Sequence, residues 1–164
     1  SDGERLCKAQ GIKGFPTVQV HVHSKTPPKV HKFEGYRIPQ HIKEFALESL
    51  TNAVVTLGED LISISRGQEL WIVKFTAGNW CPPCVALRSV FVQLSVDMAA
   101  AGGAWQVGTL DCDQNRKLCS NFGVRQFPTV IVYTRKPNMK RDIKVYNGPR
   151  TPQALRQFAE STLT

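Results

Sequence analysis

The sequence repeats part of itself, and this repeat is the strongest constraint on how the chain can fold. Residues 5–20 and residues 117–132 share a Leu-Cys pair and a Phe-Pro-Thr-Val block, so that Cys7 aligns with Cys119, 112 residues further along. The units of solenoid proteins are only about 20–50 residues long, so a repeat at this distance indicates tandem globular domains.

The alignment predicts where the domains lie. We expect a complete domain at 54–164, the C-terminal half of a truncated copy of the same domain at 1–50, and a linker at 51–53. Cys112 would align with the position just before Ser1, so we expect the parent protein to carry a cysteine there. A half domain that lacks its central strand should expose one apolar face.

The complete copy is predicted to be an α/β domain with the order β-α-β-α-β-α-β-β-α. A near-continuous apolar run at 70–76 is typical of a central strand that is buried on both faces. The long helix that follows it places apolar side chains on one face at helical spacing. The predicted strands are 54–57, 70–76, 106–110, 129–133 and 143–146, and the predicted helices are 59–65, 81–100, 115–121 and 152–162.

A Cys-Pro-Pro-Cys motif, Cys81 to Cys84, joins the central strand to the long helix. At the start of a helix, unpaired N–H groups and the macrodipole favour an anion, so the pKa of Cys81 should fall below the ~8.5 of a free cysteine. Cys84, one turn on, can attack a disulfide that Cys81 forms. Because Pro83 disfavours helical geometry at Pro82, we expect the helix to start one residue later than in relatives with glycine after the first cysteine.

Two other interpretations of the motif stay open. The pair could be half of a zinc site, but an all-cysteine site needs four thiolates in close pairs, and Cys112 and Cys119 have six residues between them. The pair could also be an inert structural disulfide. We expect no metal and no cofactor.

The element order resembles the thioredoxin fold of the protein disulfide isomerase family, with a central mixed sheet flanked by helices. The residues that carry the resemblance are Trp80 with the Cys-Pro-Pro-Cys motif and the later block from Gly123 to Thr129. The motif, the tandem domains and the Cys112 and Cys119 pattern are most similar to the reductases of the endoplasmic reticulum (ER) that combine a J domain with several thioredoxin domains.

The resemblance implies a thiol–disulfide oxidoreductase of the ER lumen that needs no cofactor and reduces misfolded secretory proteins. Its partners would be unfolded or misfolded proteins with disulfides, and an Hsp70 chaperone through a J domain outside this chain. The alternative is a thioredoxin-fold scaffold that holds client proteins and has weak redox activity.

The same resemblance implies roles for single residues. Cys81 would be the nucleophile and Cys84 the resolving thiol. Pro128, after Phe127, would be the family's cis-proline, which leaves the preceding backbone free to pair with an extended client segment. The alternative for Pro128 is an ordinary turn proline. Trp80 would shield the thiol and contact the substrate, or would simply be a packing aromatic.

Three further residues have an implied role and an ordinary alternative. Arg125 matches an arginine that can turn toward the second cysteine, although a solvated charge is an equal interpretation. Cys112 and Cys119 match a structural disulfide, which would stabilise the fold by about 2–3 kcal/mol and would indicate an oxidising compartment. The alternative is two buried free thiols.

Lys74 is the clearest departure from the family pattern, which places a buried carboxylate at this position. A cation there would stabilise the Cys84 thiolate, whereas a buried neutral amine could act as a base. The third interpretation is a side chain that extends to the surface. The additional residue Asn79 before Trp80 also departs from the pattern.

Charge and hydropathy exclude other classes of protein. The chain carries 21 basic and 13 acidic residues, a net charge of +8, but the basic residues are scattered. Without a basic cluster or a stacking motif, nucleic-acid binding is not predicted. The longest apolar runs are far shorter than the ~18 residues of a transmembrane helix, so no membrane span is predicted.

Overall fold

The computed structural model describes residues 2–22, 29–33, 37–51, 54–78, 80–135 and 141–163. The chain forms two compact units, Ser1–Leu50 and Thr51–Thr164. Most of the predicted linker and the additional residue Asn79 lie outside the described residues.

The first unit contains two helices and a two-stranded sheet. Strands β1 and β2 pair antiparallel. Phe33, the residue directly after β2, packs edge-on against Phe45, with ring centroids 5.3 Å apart. Several apolar side chains stay exposed, among them Leu6 and Phe15. The elements are α1 (Asp2–Ala9), β1 (Gln19–Val22), β2 (Lys29–Lys32) and α2 (Pro39–Thr51).

The second unit has the element order that the sequence predicts, and its fold is the predicted thioredoxin fold. The strands are β3 (Val55–Thr56), β4 (Leu70–Thr76), β5 (Trp105–Asp111), β6 (Thr129–Arg135) and β7 (Arg141–Tyr146). The helices are α3 (Asp60–Arg66), α4 (Pro82–Ala100), α5 (Arg116–Asn121) and α6 (Pro152–Ser161).

The five strands form one mixed sheet in the order β3-β5-β4-β6-β7, with β4 at its centre. Strand β4 pairs parallel with β5 and antiparallel with β6, and β7 pairs antiparallel with β6. The parallel pair needs a long crossover, which α4 supplies. The central position of β4 explains its near-continuous apolar sequence, because both of its faces are covered.

A hydrophobic core lies on each face of the sheet. On one face, Ile72 packs with Phe91 of α4 and Leu155 of α6. On the other face, Phe75 packs with Leu61 of α3, in the cluster that also contains Cys112 and Cys119. Alternate residues of β4 therefore enter different cores, as the period of a strand requires.

Gly108 of β5 leaves room for the side chain of Leu57, the residue directly after β3. A Cβ at this position would lie 2.7 Å from Cδ1 of Leu57 and 3.3 Å from the Trp71 ring. A larger residue here would force the Leu57 side chain to shift, and Leu57 belongs to the core on the α3 face.

Helix α4 begins at Pro82, immediately after Cys81. Whether this start is later than in relatives with glycine after the first cysteine stays a prediction. Both prolines occupy the first turn, where the absent N–H groups would have had no partner within the helix, so this placement removes no hydrogen bond.

Helix α4 is also long and apolar enough to cross a membrane by length and composition. This is weak evidence for a span, because the core helices of globular proteins pass the same test. Here Leu87, Phe91 and Leu94 of α4 are buried in the core.

Candidate active site

Cys81 caps the N-terminus of α4. Its backbone is extended, and its Sγ accepts a hydrogen bond of 3.3 Å from the backbone N–H of Cys84. The Cys81 carbonyl accepts two more, from Cys84 at 3.0 Å and from Val85 at 3.1 Å. The sulfur therefore occupies the position where a helix favours negative charge.

Cys81 and Cys84 form a disulfide with their Cα atoms 5.3 Å apart. The two cysteines are only 5% and 3% exposed, whereas Pro82 and Pro83 between them are exposed. The structure therefore holds the pair in its oxidised form, beside the exposed Pro82 and Pro83 of the first turn of α4.

Trp80 lies directly before the disulfide and is 65% exposed. Its Nε1 donates a hydrogen bond of 2.6 Å to Oδ2 of Asp113. Gly78 lies close to both side chains, because a Cβ on it would be 2.6 Å from Oδ2 of Asp113 and 3.2 Å from Cδ1 of Trp80. Its φ of +49° also favours glycine.

A second disulfide joins Cys112, at the end of β5, to Cys119 in α5, with Cα atoms 5.8 Å apart. Both cysteines are buried in the core on the α3 face. All five cysteines lie in the described part of the chain, and Cys7 is the free one.

Phe127 and Pro128 directly precede β6, and the peptide bond between them is cis, as is the bond between Phe15 and Pro16. Pro128 is buried, and Phe127 packs against the core on the α3 face. Pro128 also borders a cavity of about 240 Å³, whose other lining residues are Gln126, Thr129, Val130, Val145, Tyr146, Asn147, Gly148 and Arg150.

Lys74 is buried, with 1% of its surface exposed. The interpretation that it extends to the surface is therefore wrong, because β4 is the central strand and α4 covers the face of Lys74. Its Nζ lies 5.2 Å from the ring centroid of Phe91, within the range of a cation–π contact. Phe91 belongs to the same buried face of α4 as Cys84 and Leu87.

Arg125 is exposed in the turn before β6, and its proposed movement toward the second cysteine stays a prediction. Among the described residues, no group of three or more His, Cys, Asp or Glu side chains could hold a metal ion. The zinc interpretation therefore gains no support from this part of the chain.

The sequence motifs did not predict Asp113 and Gly78 as residues of the site. Asp113 contacts Trp80 across 33 positions of sequence, so no local pattern connects them. The available signal was the place of Asp113 directly after a cysteine at the end of a strand beside β4. The arrangement consists of the helix-capping sulfur of Cys81, the Cys84 sulfur bonded to it, and the exposed Trp80 beside them. It supports thiol–disulfide exchange.

Comparison with known proteins agrees with this geometry. The thioredoxin family model matches residues 59–161. The DnaJ homolog subfamily C member 10 of Xenopus laevis is 32% identical over 162 residues, which cover 95% of this chain and 19% of that protein. The protein disulfide isomerase-like 2-3 of Oryza sativa is 26% identical, covering 95% and 40%.

The fold is also similar to that of full-length ERdj5, with a TM-score of 0.63 and 18% identity over 98% of this chain and 23% of that structure. The chain thus spans about a fifth of the length of its DnaJ relatives. With a family model that matches most of the complete domain, the chain belongs to the thioredoxin family.

Proposed function

We propose that this chain is a thiol–disulfide oxidoreductase that acts on protein disulfides, with Cys81 as the nucleophile and Cys84 as the resolving thiol. The observation that carries this proposal is the position of the Cys81 sulfur, which caps α4 and is bonded to Cys84. A thiolate at this position is stabilised by the helix N-terminus, and thiolate is the reactive form of cysteine.

The reaction starts from the reduced pair. The Cys81 thiolate attacks one sulfur of the client disulfide, whose S–S bond breaks, and the other client sulfur leaves as a thiolate and takes a proton. Cys84, as a thiolate, then attacks Sγ of Cys81 and releases the second client sulfur, which is protonated in turn. Two electrons pass to the client, and the enzyme is left in the oxidised form seen here.

A dithiol reductant must return the pair to its reduced form before the next cycle. The same steps run in reverse when the oxidised enzyme meets a client dithiol, and they then oxidise the client. We favour reduction because of the likeness to relatives named as DnaJ homologues and as ERdj5.

We place the activity in the ER lumen, with unfolded or misfolded secretory proteins as clients. The second disulfide, Cys112–Cys119, supports an oxidising compartment, and the names of the similar proteins support the ER. An Hsp70 chaperone is the further partner we propose, and it would act through a J domain outside this chain. The names of the similar proteins, a DnaJ homolog and a J-Trx1 fragment of ERdj5, support this partner.

Reduction of insulin by the chain, with dithiothreitol as the reductant, tests the proposal. The wild type should accelerate reduction above the rate with dithiothreitol alone, and Cys81→Ala should return the rate to that background. An equal rate for the wild type and Cys81→Ala would overturn the proposal.

The second candidate function is a client-binding scaffold with weak redox activity, and the burial of Lys74 favours it. In this view the missing carboxylate near Cys84 slows proton transfer in the resolving step. A comparison with Lys74→Asp distinguishes the two functions. A scaffold predicts little activity in the wild type and a clear gain in the variant, whereas an enzyme tuned to Lys74 loses activity.

We further propose that residues 1–50 repeat the second half of the complete domain. The order α1-β1-β2-α2 matches α5-β6-β7-α6, and the strands of each pair are antiparallel. The complete domain should then act alone. Limited proteolysis that releases 54–164 should leave insulin reduction unchanged, and a large loss of activity would contradict this division.

A further inference from the structure

We propose that Asp113 is a positioning residue that holds the Trp80 indole beside Cys81 for contact with client polypeptides. The Cys112–Cys119 disulfide in turn holds Asp113 in place. This inference rests on the proposed function for its biological meaning, but the geometry that carries it does not depend on turnover.

The hydrogen bond between the two side chains is the first observation. The indole has a single donor, and Trp80 directs it at Oδ2 of Asp113 over 2.6 Å. A bond from N–H to a carboxylate is stronger than one between neutral groups. Because Trp80 is 65% exposed, little packing restrains its ring, and this bond selects one orientation among the rotamers.

The shape of the backbone at Gly78 is a second, independent observation. A Cβ there would collide with Oδ2 of Asp113 at 2.6 Å and press on the indole at 3.2–3.3 Å. The backbone at Gly78 therefore lies directly against the paired side chains and leaves no room for a Cβ atom. This close approach gives the indole a backbone surface to lie on, in addition to its polar partner.

The anchoring of Asp113 is the third observation. Its backbone N–H donates to Oδ1 of Asp111 at 2.9 Å, and the neighbouring Cys112 N–H donates to the Thr76 carbonyl at 2.7 Å. The disulfide ties Cys112 to Cys119 in α5. Asp113 is thus fixed to the end of β4, which leads into the Cys81 loop, and to the helix that follows.

A fixed indole favours client binding because less conformational freedom is lost on contact. Aromatic side chains offer a large amphipathic surface, and pre-orientation raises affinity by lowering the entropy cost of ordering. Loss of Asp113 should therefore weaken the binding of polypeptides and leave the attack of Cys81 on small disulfides unchanged.

The test compares Asp113→Ala, Asp113→Asn, Trp80→Phe and the double variant Asp113→Ala/Trp80→Phe. Asp97→Ala is the matched control, because Asp97 also accepts one side-chain N–H, from Gln93 at 2.8 Å, but lies at the far end of α4. Three quantities are measured on each variant. They are iodide quenching of tryptophan fluorescence, the affinity for alkylated insulin B chain, and the rate with 5,5′-dithiobis(2-nitrobenzoate).

Iodide quenching reports mainly on Trp80, since Trp71 and Trp105 are only 6% and 9% exposed. Asp113→Ala should increase the quenching and weaken B-chain affinity by about 3- to 10-fold, in keeping with the entropy cost of ordering one side chain on binding. Its rate with the small disulfide should stay within twofold of the wild type. Asp113→Asn keeps an oxygen acceptor and should restore most of both losses.

The double variant decides the mechanism. If Asp113 acts through Trp80, Asp113→Ala should weaken affinity no further in the Trp80→Phe background. An equal further loss there, or an effect no larger than that of Asp97→Ala, would overturn the proposal. The disulfide step is tested by Cys112→Ser/Cys119→Ser, which should increase Trp80 quenching, and unchanged quenching would overturn that step.

The B-chain assay keeps this proposal separate from the proposed function, because alkylated B chain has no disulfide to reduce. If the wild type bound it but reduced no insulin, the oxidoreductase function would fail and the positioning role would stand. If insulin were reduced at full rate by Asp113→Ala with unchanged B-chain affinity, the positioning role alone would fail.

Discussion

The two disulfides of the complete domain are equally buried, yet their surroundings are opposite. Cys81–Cys84 lies where a strand passes into the N-terminus of the long helix α4, with exposed residues before it and between its cysteines. Cys112–Cys119 lies in the apolar cluster on the α3 face of the sheet. Burial of the sulfur therefore does not separate a reactive disulfide from a structural one.

The electrostatic surroundings of the sulfur atoms do distinguish the two disulfides. When Cys81–Cys84 is reduced, a thiolate at Cys81 would be stabilised by the helix N-terminus, where the backbone N–H of Cys84 already donates to the sulfur. When Cys112–Cys119 is reduced, the thiolates form in an apolar core, which disfavours charge. We therefore infer that the first pair is the exchange site and the second pair is a clamp.

Loss of one cysteine from each pair should give the largest difference. Cys81→Ala should lower insulin reduction by about three orders of magnitude, because Cys84, the other thiol of the pair, does not occupy the capping position of α4. Cys119→Ala should retain activity within about tenfold, because its sulfur takes no part in exchange. Initial rates of insulin reduction, measured in a Cys7→Ser background that removes the free thiol, check both values.

The contrast would fail if Cys119→Ala lost as much activity as Cys81→Ala while remaining folded. Circular dichroism of the two variants at the assay temperature provides the control for folding.

Stability should show the reverse order. Removal of the clamp in Cys112→Ala/Cys119→Ala should lower the free energy of unfolding by about 2–3 kcal/mol, since the unfolded chain regains the entropy of an open loop. Reduction of Cys81–Cys84 alone should cost less, because its loop is shorter and Cys81 still caps α4. Urea unfolding of the oxidised wild type, the Cys112→Ala/Cys119→Ala variant and Cys84→Ala measures the difference. Equal losses in the two variants would contradict the distinction.

A substitution of Lys74 should affect the two cysteines of the first pair differently. Lys74→Met should slow the resolving step by about tenfold at neutral pH, because the buried cation on the α4 face, against Phe91, would no longer favour the thiolate form of the resolving cysteine. The first attack by Cys81 should be unaffected. Acid quenching and mass spectrometry of the mixed disulfide with a client peptide would show its accumulation.

Lys144→Met is the matched control for this experiment, because Lys144 is an exposed lysine of β7 that pairs with Asp142 at 3.6 Å. An unchanged lifetime of the mixed disulfide in Lys74→Met would show that Lys74 serves packing alone. A shorter lifetime in Lys74→Asp would favour the scaffold function.

Local patterns in the sequence predicted most of the fold. The apolar run of β4 and the helical spacing of Leu87, Phe91 and Leu94 report burial directly, because each residue's environment repeats with the period of its element. The Cys81 motif likewise predicted its own position, since strand, cysteines and helix are contiguous in the chain.

Features that depend on tertiary contacts could not be predicted. The pairing of Trp80 with Asp113 joins side chains 33 positions apart. The burial of Lys74 depends on which helix covers β4, and a charged residue in an apolar run has two outcomes that sequence does not distinguish.

The smallest predicted effect is an alkaline titration of Tyr146, which lines the cavity beside Pro128. Burial raises the pKa of the Tyr146 hydroxyl above its ordinary value of 10.0, and this hydroxyl donates a hydrogen bond of 2.6 Å to the Pro149 carbonyl. The folded state therefore holds the neutral form to a higher pH than the unfolded chain does. Its contribution to stability is complete below pH 10 and is lost as the pH rises through the folded pKa.

The oxidised protein in a Cys7→Ser background is the right sample, because neither disulfide titrates and thiol ionisation cannot contribute. Thermal unfolding between pH 8 and pH 11 should show a small loss of stability that is absent in Tyr146→Phe. An identical loss of stability in both proteins would assign the alkaline transition to other groups. Tyr146, beside the Pro128 cavity, would then make no contribution to the pH dependence of stability.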